Sequence, residues 1–423
     1  MKRLILAIAL LATLPAAAQD LLVRNATVHT AGAAGTLKNH DVLVQGGVVR
    51  AVGTGLAAPA GATVVDAKGR PLTPGLFGGL TGLGIEEVSG EPSTVDGGLA
   101  LGAMVPAHEG SSWRPEFDVD MAFNPHSAAI GVNRVEGITF TVLAPSALPG
   151  GSFVAGQGSA VLLDGRYDAA LPGTRSLFVN LGSDSSPLSG GSRAGQWMLL
   201  EQAITEARSG QSDGLLTRAG RAAVAKYLGG GRVVFHVDRA ADIRQVLAFA
   251  KKQGFTPVIA GGAEAWRVAA ELKAANAVVL VDALANLPGN FDGLGSSLET
   301  AARLHRAGVR VGFSQRGDAT HNARKQRQLA GNAVAHGLPW EAALAGLTSV
   351  PAQAFGLSQR GRIEVGQQAD LVLWSGDPLE LSTYAEQVWF EGRPASMRSR
   401  QTELRDRYLA PAGALPRAYP GRP

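Results

Sequence analysis

The sequence contains no cysteine among its 423 residues. It can therefore form no disulfide, and it has no thiolate that could act as a nucleophile or as a metal ligand. Any metal must be held by histidine, aspartate, glutamate or a modified lysine. Lysine is itself scarce, since none occurs between Lys68 and Lys226.

The chain also lacks a concentrated excess of positive charge. Its formal net charge is +4, and the basic residues are dispersed along the sequence. Binding to a phosphate backbone requires a basic stripe or patch. Nucleic acid is therefore not an expected partner.

Long apolar runs are absent apart from a short one at the N-terminus. Residues 1–18, MKRLILAIALLATLPAAA, start with two basic residues, continue with an apolar stretch and end with small residues at positions 16 and 18. This pattern is typical of a secretory signal peptide, cleaved here before Gln19. An uncleaved anchor is the weaker alternative, because a membrane span needs roughly 20 apolar residues. We expect an exported protein, periplasmic or secreted, with no membrane span after cleavage.

Two sets of short strands lie at opposite ends of the chain. Residues 19–70 alternate apolar and polar residues, with Gly46 and Gly47 at a predicted hairpin turn, and residues 361–395 contain strands rich in Val, Leu and Trp. Isolated hairpins are marginal in water, so the two sets are predicted to stabilise each other as one composite β-sandwich. Residues 396–423 are predicted to form a C-terminal extension.

The middle of the chain, residues 71–360, has an α/β pattern. In its second half the apolar runs RVVFHV, TPVIAGG, AVVLVDAL and VRVGFS alternate with helical patterns. The length suits a (β/α)8 TIM-like barrel of roughly 250 residues. Residues of about 85–160 show little periodicity and are predicted to form long loops over the barrel mouth. A helix is predicted from Pro339.

Sequence landmarks extend over nearly the whole mature chain. They are DVLVQGGVVRAVG, VVDAKGRPLTPGL, GIT at 137–139, FHVDRAADI and GLPWEAALAGLTSVPAQAFGLSQRGRIEVGQQADLVLWSGDPL. Together they resemble the amidohydrolase superfamily, most closely its imidazolonepropionase-like secreted branch. The resemblance implies the barrel and sandwich architecture, and a metal-dependent hydrolase acting on non-peptide C–N bonds.

The resemblance also implies metal-ligand positions, most of which carry residues unable to bind a divalent ion. The first-strand His-x-His corresponds to Leu80, Thr81 and Gly82, the sixth-strand histidine to Gly261 or Gly262, and the eighth-strand aspartate to Gln315. His236 matches the fifth-strand histidine ligand. A histidine at the rim, bonded to the backbone, is an equally weighted interpretation of that residue.

Other candidate site residues follow the eighth predicted strand in GDATHNAR. Asp318 and His321 could form a relocated acid/base or ligand pair, although an N-cap aspartate with an exposed histidine is favoured. His108 and His126 lie in the predicted loops and are more simply solvated. Surface or packing roles are expected for the remaining histidines, which are His29, His40, His305 and His336.

Three functions stay open. The first is a hydrolase of amide or cyclic amide bonds in which His236 and substitute ligands hold one divalent metal. The second is a catalytically inactive barrel that binds a small molecule or partners an active paralogue, and ligand chemistry favours it. The third is a metal-free acid/base hydrolase that uses Asp318 and His321.

The expected cofactors and partners follow from these functions. No fully occupied metal is expected, with a single zinc ion as the alternative. The partners to expect are a small-molecule substrate or ligand, and a second copy of the chain or a paralogous amidohydrolase.

Overall fold

The computed structural model describes residues 20–101, 113–210, 214–317 and 319–409. The predicted signal peptide, His108, Asp318 and residues 410–423 of the predicted extension lie outside the described residues. Within the described ranges, no helix is long and apolar enough to cross a membrane.

The described residues form the following strands and helices. The strands are β1 (Leu21–His29), β2 (Thr36–Gln45), β3 (Val48–Gly53), β4 (Thr63–Asp66), β5 (Pro71–Pro74), β6 (Leu76–Thr81), β7 (Ile138–Leu143), β8 (Val154–Gly158), β9 (Ala160–Leu162), β10 (Ser176–Asn180), β11 (Arg232–Val237), β12 (Pro257–Gly261), β13 (Val278–Val281), β14 (Arg310–Phe313), β15 (Leu371–Trp374), β16 (Ala385–Phe390) and β17 (Arg393–Pro394). The α-helices are α1 (Ala128–Arg134), α2 (Arg193–Ser209), α3 (Arg218–Leu228), α4 (Ala240–Gln253), α5 (Ala269–Ala274), α6 (Thr300–Arg306), α7 (Ala319–Asn322), α8 (Gln326–Ala335), α9 (Trp340–Leu347), α10 (Ser349–Ala354) and α11 (Arg400–Leu409).

Strands from both ends of the chain meet in one mixed sheet. Its order is β17-β16-β15-β5-β1-β2-β3, and β4 pairs with β1. The two ends join where Leu72 of β5 lies opposite Leu373 of β15. Beside this pair, the Trp374 indole N–H donates to the Thr73 hydroxyl at 2.9 Å. The ladders show a single sheet, so the two-layer sandwich stays a prediction.

This sheet encloses its own apolar core. Val42 and Val44 of β2 belong to the same buried cluster as Leu371 and Leu373 of β15, and two strands, β5 and β1, separate β2 from β15 in the sheet order. The cluster therefore joins strands from both ends of the chain. The β2–β3 hairpin is tight because its turn consists of two glycines with positive φ, +59° and +83°, as the sequence predicted.

The middle of the chain forms two further sheets that carry the candidate site. Strands β10 to β14 are parallel neighbours in sequential order, and β6, β7 and β9 form a separate three-stranded sheet. Four strands predicted from apolar runs, β11 to β14, are present at the expected places. Among the described residues no ladder joins the two sheets, so a closed eight-stranded barrel stays a prediction at the level of strand pairing.

In a (β/α)8 barrel all strands run parallel, but the segment of chain between β7 and β10 runs in the opposite direction. Strand β8 pairs antiparallel with β10, and β9 pairs antiparallel with β7. Only Ser159 separates β8 from β9, so residues 154–162 form one reversed segment that lies between the two sheets. The strictly parallel order expected of the barrel is therefore wrong at this segment.

The helix after β11 illustrates how the sequence produces the helical layer. Helix α4 buries Ile243, Val246, Leu247 and Ala250, which have the i, i+3, i+4, i+7 spacing of one helical face. It ends at Gly254, which adopts φ +85° and donates to the Ala250 carbonyl. Asp242 in the first turn and two lysines in the last turn complement the helix dipole.

Two expectations about boundaries need correction. Residues 85–160 are not all loop, since α1, β7 and β8 lie there. Their apolar runs are short and are interrupted by glycine, so their periodicity is weak. The helix predicted to begin at Pro339 begins at Trp340, and Pro339 is its N-cap residue.

Candidate functional site

The candidate site lies where the parallel strands end. His236 is the penultimate residue of β11, Asn180 ends β10, Gly261 ends β12, and Gln315 follows β14 by two residues. The carboxyl ends of parallel strands meet at one edge of a sheet, which is where α/β proteins place their sites. These residues line a cavity of about 540 Å³.

His236 lies in the floor of this cavity, between neighbouring strands. Its ring stacks against Phe178 of β10, with 6.4 Å between the ring centroids. Burial lowers the pKa of His236 to about 4, and the positive charge of Arg316 contributes to the shift. Within the described part of the chain, no side chain is hydrogen-bonded to this imidazole. With that pKa the ring is neutral at physiological pH. His236 is also part of the cavity lining.

The structure places the other four sequence-predicted ligand positions around the same cavity. Leu80, Gly82, Gly261 and Gln315 all line it together with His236. The backbone N–H of Leu80 donates to the Ser314 hydroxyl at 3.0 Å. A side chain at Gly261 would meet the Asp238 carboxylate at 2.6 Å, and Gly261 itself adopts φ +91°. Gly261 therefore leaves no space for a side chain without rearrangement.

Two amide groups at the cavity have no hydrogen-bond partner. The Nδ2 of Asn180 and the Oε1 of Gln315 are both shielded from solvent and unpaired. Buried polar groups are normally satisfied, so these two atoms are exceptions, and both belong to residues of the cavity lining. One group is a donor and the other an acceptor.

An ion pair between Asp238 and Arg316 forms the other wall of the site. Asp238 is buried, accepts from the Arg316 guanidinium and also accepts from the Ala263 N–H at 3.2 Å. Burial raises the pKa of Asp238, and Arg316 opposes that rise. Arg316 is half exposed and also lies 3.9 Å from Asp184. Both Arg316 and Asp184 line the main cavity and two adjoining ones of about 140 and 340 Å³.

A further carboxylate near this cavity is held in place by hydrogen bonds. Asp292 accepts from the backbone N–H and the hydroxyl of Ser183, at 2.7 and 2.9 Å, and from Arg193. Burial alone would raise the pKa of Asp292, but these bonds and the Arg193 charge hold it below the usual range. Asp292 is therefore ionised and already fully engaged.

Glu86 is a site residue that the sequence reasoning missed. It follows β6, lines the 540 Å³ cavity, and accepts from the Thr320 hydroxyl at 3.0 Å. The same hydroxyl accepts from the backbone N–H of Gly82 at 3.0 Å. Thr320 thus fixes a carboxylate beside a predicted ligand position. The pair of acidic residues in GIEEV, soon after the first strand, was the available signal.

His321, the described member of the predicted Asp318–His321 pair, does not line the cavity. Asp318 lies outside the described residues, and His321 lies in α7, half-buried but not in the cavity lining. The neighbours of His321, Ala319 and Thr320, do line it.

The other described histidines lie away from the cavity. His29 packs against Trp340 with 4.5 Å between centroids, and burial lowers the pKa of His29. His126 stacks edge-on against Tyr167 at 5.1 Å. His40 and His336 bond backbone carbonyls at 2.8 Å. His305 lies in the last turn of α6.

Among the described residues, no group of three or more His, Cys, Asp or Glu is placed so that it could hold a metal ion. The cavity contributes one imidazole, and the nearest buried carboxylate, Asp238, is paired with Arg316.

Comparison with known proteins shows which of them this chain is similar to. A model of the Amidohydrolase family matches residues 319–395, which cover α7 to β17. The crystal structure of an amidohydrolase from Thermotoga maritima is 26% identical and superposes with a TM-score of 0.77, covering 89% of this chain and 100% of that chain. Residues 319–395 therefore carry an Amidohydrolase family domain, and the fold of the chain is similar to that of a solved amidohydrolase.

Curated relatives of this chain match only short segments. Amidohydrolase tasK of Hapsidospora irregularis is 47% identical over 58 residues, which are 14% of this chain and 6% of that protein. The dihydroorotase of Geobacter sulfurreducens is 60% identical over 37 residues, 9% of each protein. The matched segments thus span under a tenth of either relative.

One structural neighbour contains a metal. An adenosine deaminase from Xanthomonas campestris with bound zinc superposes with a TM-score of 0.53 at 18% identity, covering 92% of this chain and 97% of that chain. At that identity the likeness shows a shared fold.

Proposed function

We propose that this protein hydrolyses a non-peptide C–N bond, in an amide or cyclic amide, of a small molecule bound in the 540 Å³ cavity. The observation that carries the proposal is the cavity itself, which opens at the strand ends around His236 in a chain that carries an Amidohydrolase family domain. We also infer membership of the imidazolonepropionase-like secreted branch, on the landmarks given above. Export of the mature chain is part of this proposal.

The polar lining supports an amide as the reacting group. A cyclic amide presents a carbonyl oxygen and an N–H on the same edge. Asn180 and Gln315 line the cavity, and their side-chain amides carry the donor and the acceptor that such an edge requires. Satisfying both would remove two buried unpaired groups, each of which costs about 1–3 kcal/mol.

The donors around His236 fit a zinc site of the superfamily type poorly. Zinc takes three or four protein ligands at about 2.0–2.2 Å, whereas Leu80, Gly82 and Gly261 offer none and Gln315 offers an amide. The guanidinium of Arg316 occupies Asp238 and adds positive charge where a cation would bind. We therefore propose a degenerate metal centre and assign no reaction step to a metal.

Glu86 is the group best placed to move a proton. It is a carboxylate at the cavity wall, held by Thr320, and can accept a proton from an attacking water. His236 is neutral above a pKa of about 4, so it orients the water or the substrate and serves only weakly as a base. The acid/base pair of Asp318 and His321 stays a prediction.

The poor ligand set also favours a second candidate, a catalytically inactive barrel that binds a small molecule or partners an active paralogue. One experiment separates the two. The purified mature protein is assayed against a panel of lactams, hydantoins and N-acyl amino acids, and the same compounds are tested for binding by thermal shift.

Hydrolysis that is lost in Glu86→Gln and kept in His305→Ala supports the enzyme. Binding without turnover, retained in Glu86→Gln, supports the binder. His305 is a suitable control because it lies in α6, outside the cavity lining.

A further inference from the structure

Another cavity lies at the opposite end of the parallel strands, where they begin. Its volume is about 410 Å³, and it is lined by the first residues of β11, β12 and β14 together with the turns before them. The proposed hydrolysis uses only the carboxyl ends of these strands. This second cavity is therefore separate from the cavity around His236.

The lining carries positive charge with no negative charge to balance it. It includes Arg232 and Arg310, and none of its described residues is aspartate or glutamate. Neither guanidinium forms an ion pair with a carboxylate in the described ranges. Burial lowers the pKa of both groups, and no carboxylate offsets the effect. Both arginines are only partly buried, so the cavity holds two partly desolvated positive charges without a neutralising anion among the described residues.

Backbone carbonyls orient both arginines without neutralising them. Arg232 donates through Nε to the Ala354 carbonyl at 2.6 Å and through Nη1 to the Thr174 carbonyl at 3.1 Å. Arg310 donates through Nη2 to the Asn276 carbonyl at 2.8 Å. Nη2 of Arg232, and Nε and Nη1 of Arg310, have no acceptor among the described residues. Donors are thus fixed in place and still available.

The nearby helix end does not supply the missing charge. Helix α4 ends against this cavity, where Gly254 is part of the lining. A helix C-terminus carries about half a negative charge, which is smaller than the two positive charges and is already faced by Lys251 and Lys252.

We propose that this cavity binds a small oxyanion, the phosphate or carboxylate group of a metabolite. The planar guanidinium presents paired N–H groups that match two oxygens of such an anion, and these charge-assisted bonds are the strong ones. Thr256, Asn276 and Gln353 in the lining add neutral donors. The site lies beyond the proposed hydrolase function and does not depend on it.

Calorimetric titration of the full chain with inorganic phosphate and with citrate, at constant ionic strength, tests the site and distinguishes the two anion types. We expect at least one to bind with a Kd of about 1 mM or tighter, and Arg310→Gln to weaken it about tenfold. Arg244→Gln should leave binding unchanged, because Arg244 is exposed and pairs with Glu271 at 3.5 Å. Arg310→Lys keeps the charge and should weaken binding less than glutamine does.

Three results would overturn the proposal. They are binding of neither anion, equal binding by wild type and Arg310→Gln, and loss of binding in Arg316→Gln, which would place the anion at the His236 cavity. If Arg310→Gln does not fold, Arg310→Lys replaces it, and unchanged affinity in that variant counts against the site. Hydrolysis is measured in parallel, so its absence affects the proposed function alone.

Discussion

Replacing Arg316 by glutamine should destabilise the protein, because it leaves the buried carboxylate of Asp238 without its cation. Asp238 is 8% exposed, and the Ala263 N–H would be its remaining partner. Removing one partner of a buried ion pair costs about 3–5 kcal/mol. The Arg316 side chain is 48% exposed, so solvent screens part of the interaction and we reduce the expected loss to about 1–3 kcal/mol.

The loss should depend on pH, and its sign follows from the pKa of Asp238. Burial raises that pKa, and Arg316→Gln raises it further because the opposing charge is gone. A carboxyl whose pKa is higher in the folded than in the unfolded protein stabilises the fold below the unfolded value of about 3.9. That contribution is lost as the pH rises through the folded-state pKa. The deficit of the variant is therefore largest at neutral pH and shrinks on acidification.

Urea unfolding at pH 7 and pH 5 measures this difference. Adding Arg316→Gln to an Asp238→Asn background should change the free energy of unfolding little at either pH, because that background has no buried carboxylate that could lose its partner. Arg244→Gln is the matched control at an exposed arginine. An Arg316→Gln deficit that is equal at both pH values, or that persists in the Asp238→Asn background, would refute the reasoning.

Three further outcomes are expected. The exported protein, dialysed without chelator, should contain well under one equivalent of zinc, manganese or iron by elemental analysis. The substitution His236→Ala should change its melting temperature little in added zinc. Stoichiometric metal that disappears with this variant would support the metal-dependent hydrolase instead. Glu86→Gln should lower kcat by about 10²–10⁴-fold on any C–N substrate that the panel identifies. Glu87 lies outside the cavity lining, so Glu87→Gln should not lower kcat. Equal losses in both variants would show that Glu86 is not the proton acceptor. Intact-mass measurement of the exported chain should place its first residue at Gln19, and a mass that retains residues 1–18 would contradict cleavage.

In the middle of the chain, the strands that the sequence predicted correctly are short, mostly buried runs. RVVFHV becomes β11 and VRVGFS becomes β14, because four to six buried residues between polar turns leave little alternative to a buried parallel strand. The reversed segment β8–β9 was not predicted, since VAGQG contains two glycines and a strand's direction leaves no mark on its composition. Direction is decided by pairing with β7 and β10, which lie on either side of it.

The candidate site was only partly visible in the sequence. His236 and the four substituted positions came from a resemblance in motifs, and the structure places them around one cavity. Glu86 was missed although the acidic pair in GIEEV was an available signal, and nothing local marks Arg316. Glu86 accepts a hydrogen bond from Thr320, which is 234 residues away, and Arg316 pairs with Asp238, which is 78 residues away. Contacts between residues so far apart follow from the fold and not from the spacing of residues.

The joining of β5 to β15 constrains the order in which the chain can fold. Thr73 and Trp374, bonded across this junction, are 301 residues apart, and Arg70 and Glu386, which pair nearby, are 316 apart. Contacts of such long range are slow to form, because a large loop must close before any bonding compensates for it. Strand β5 therefore keeps one unpaired edge until almost the entire polypeptide has been synthesised. The sheet that contains the first strands of the chain is therefore among the last to be completed.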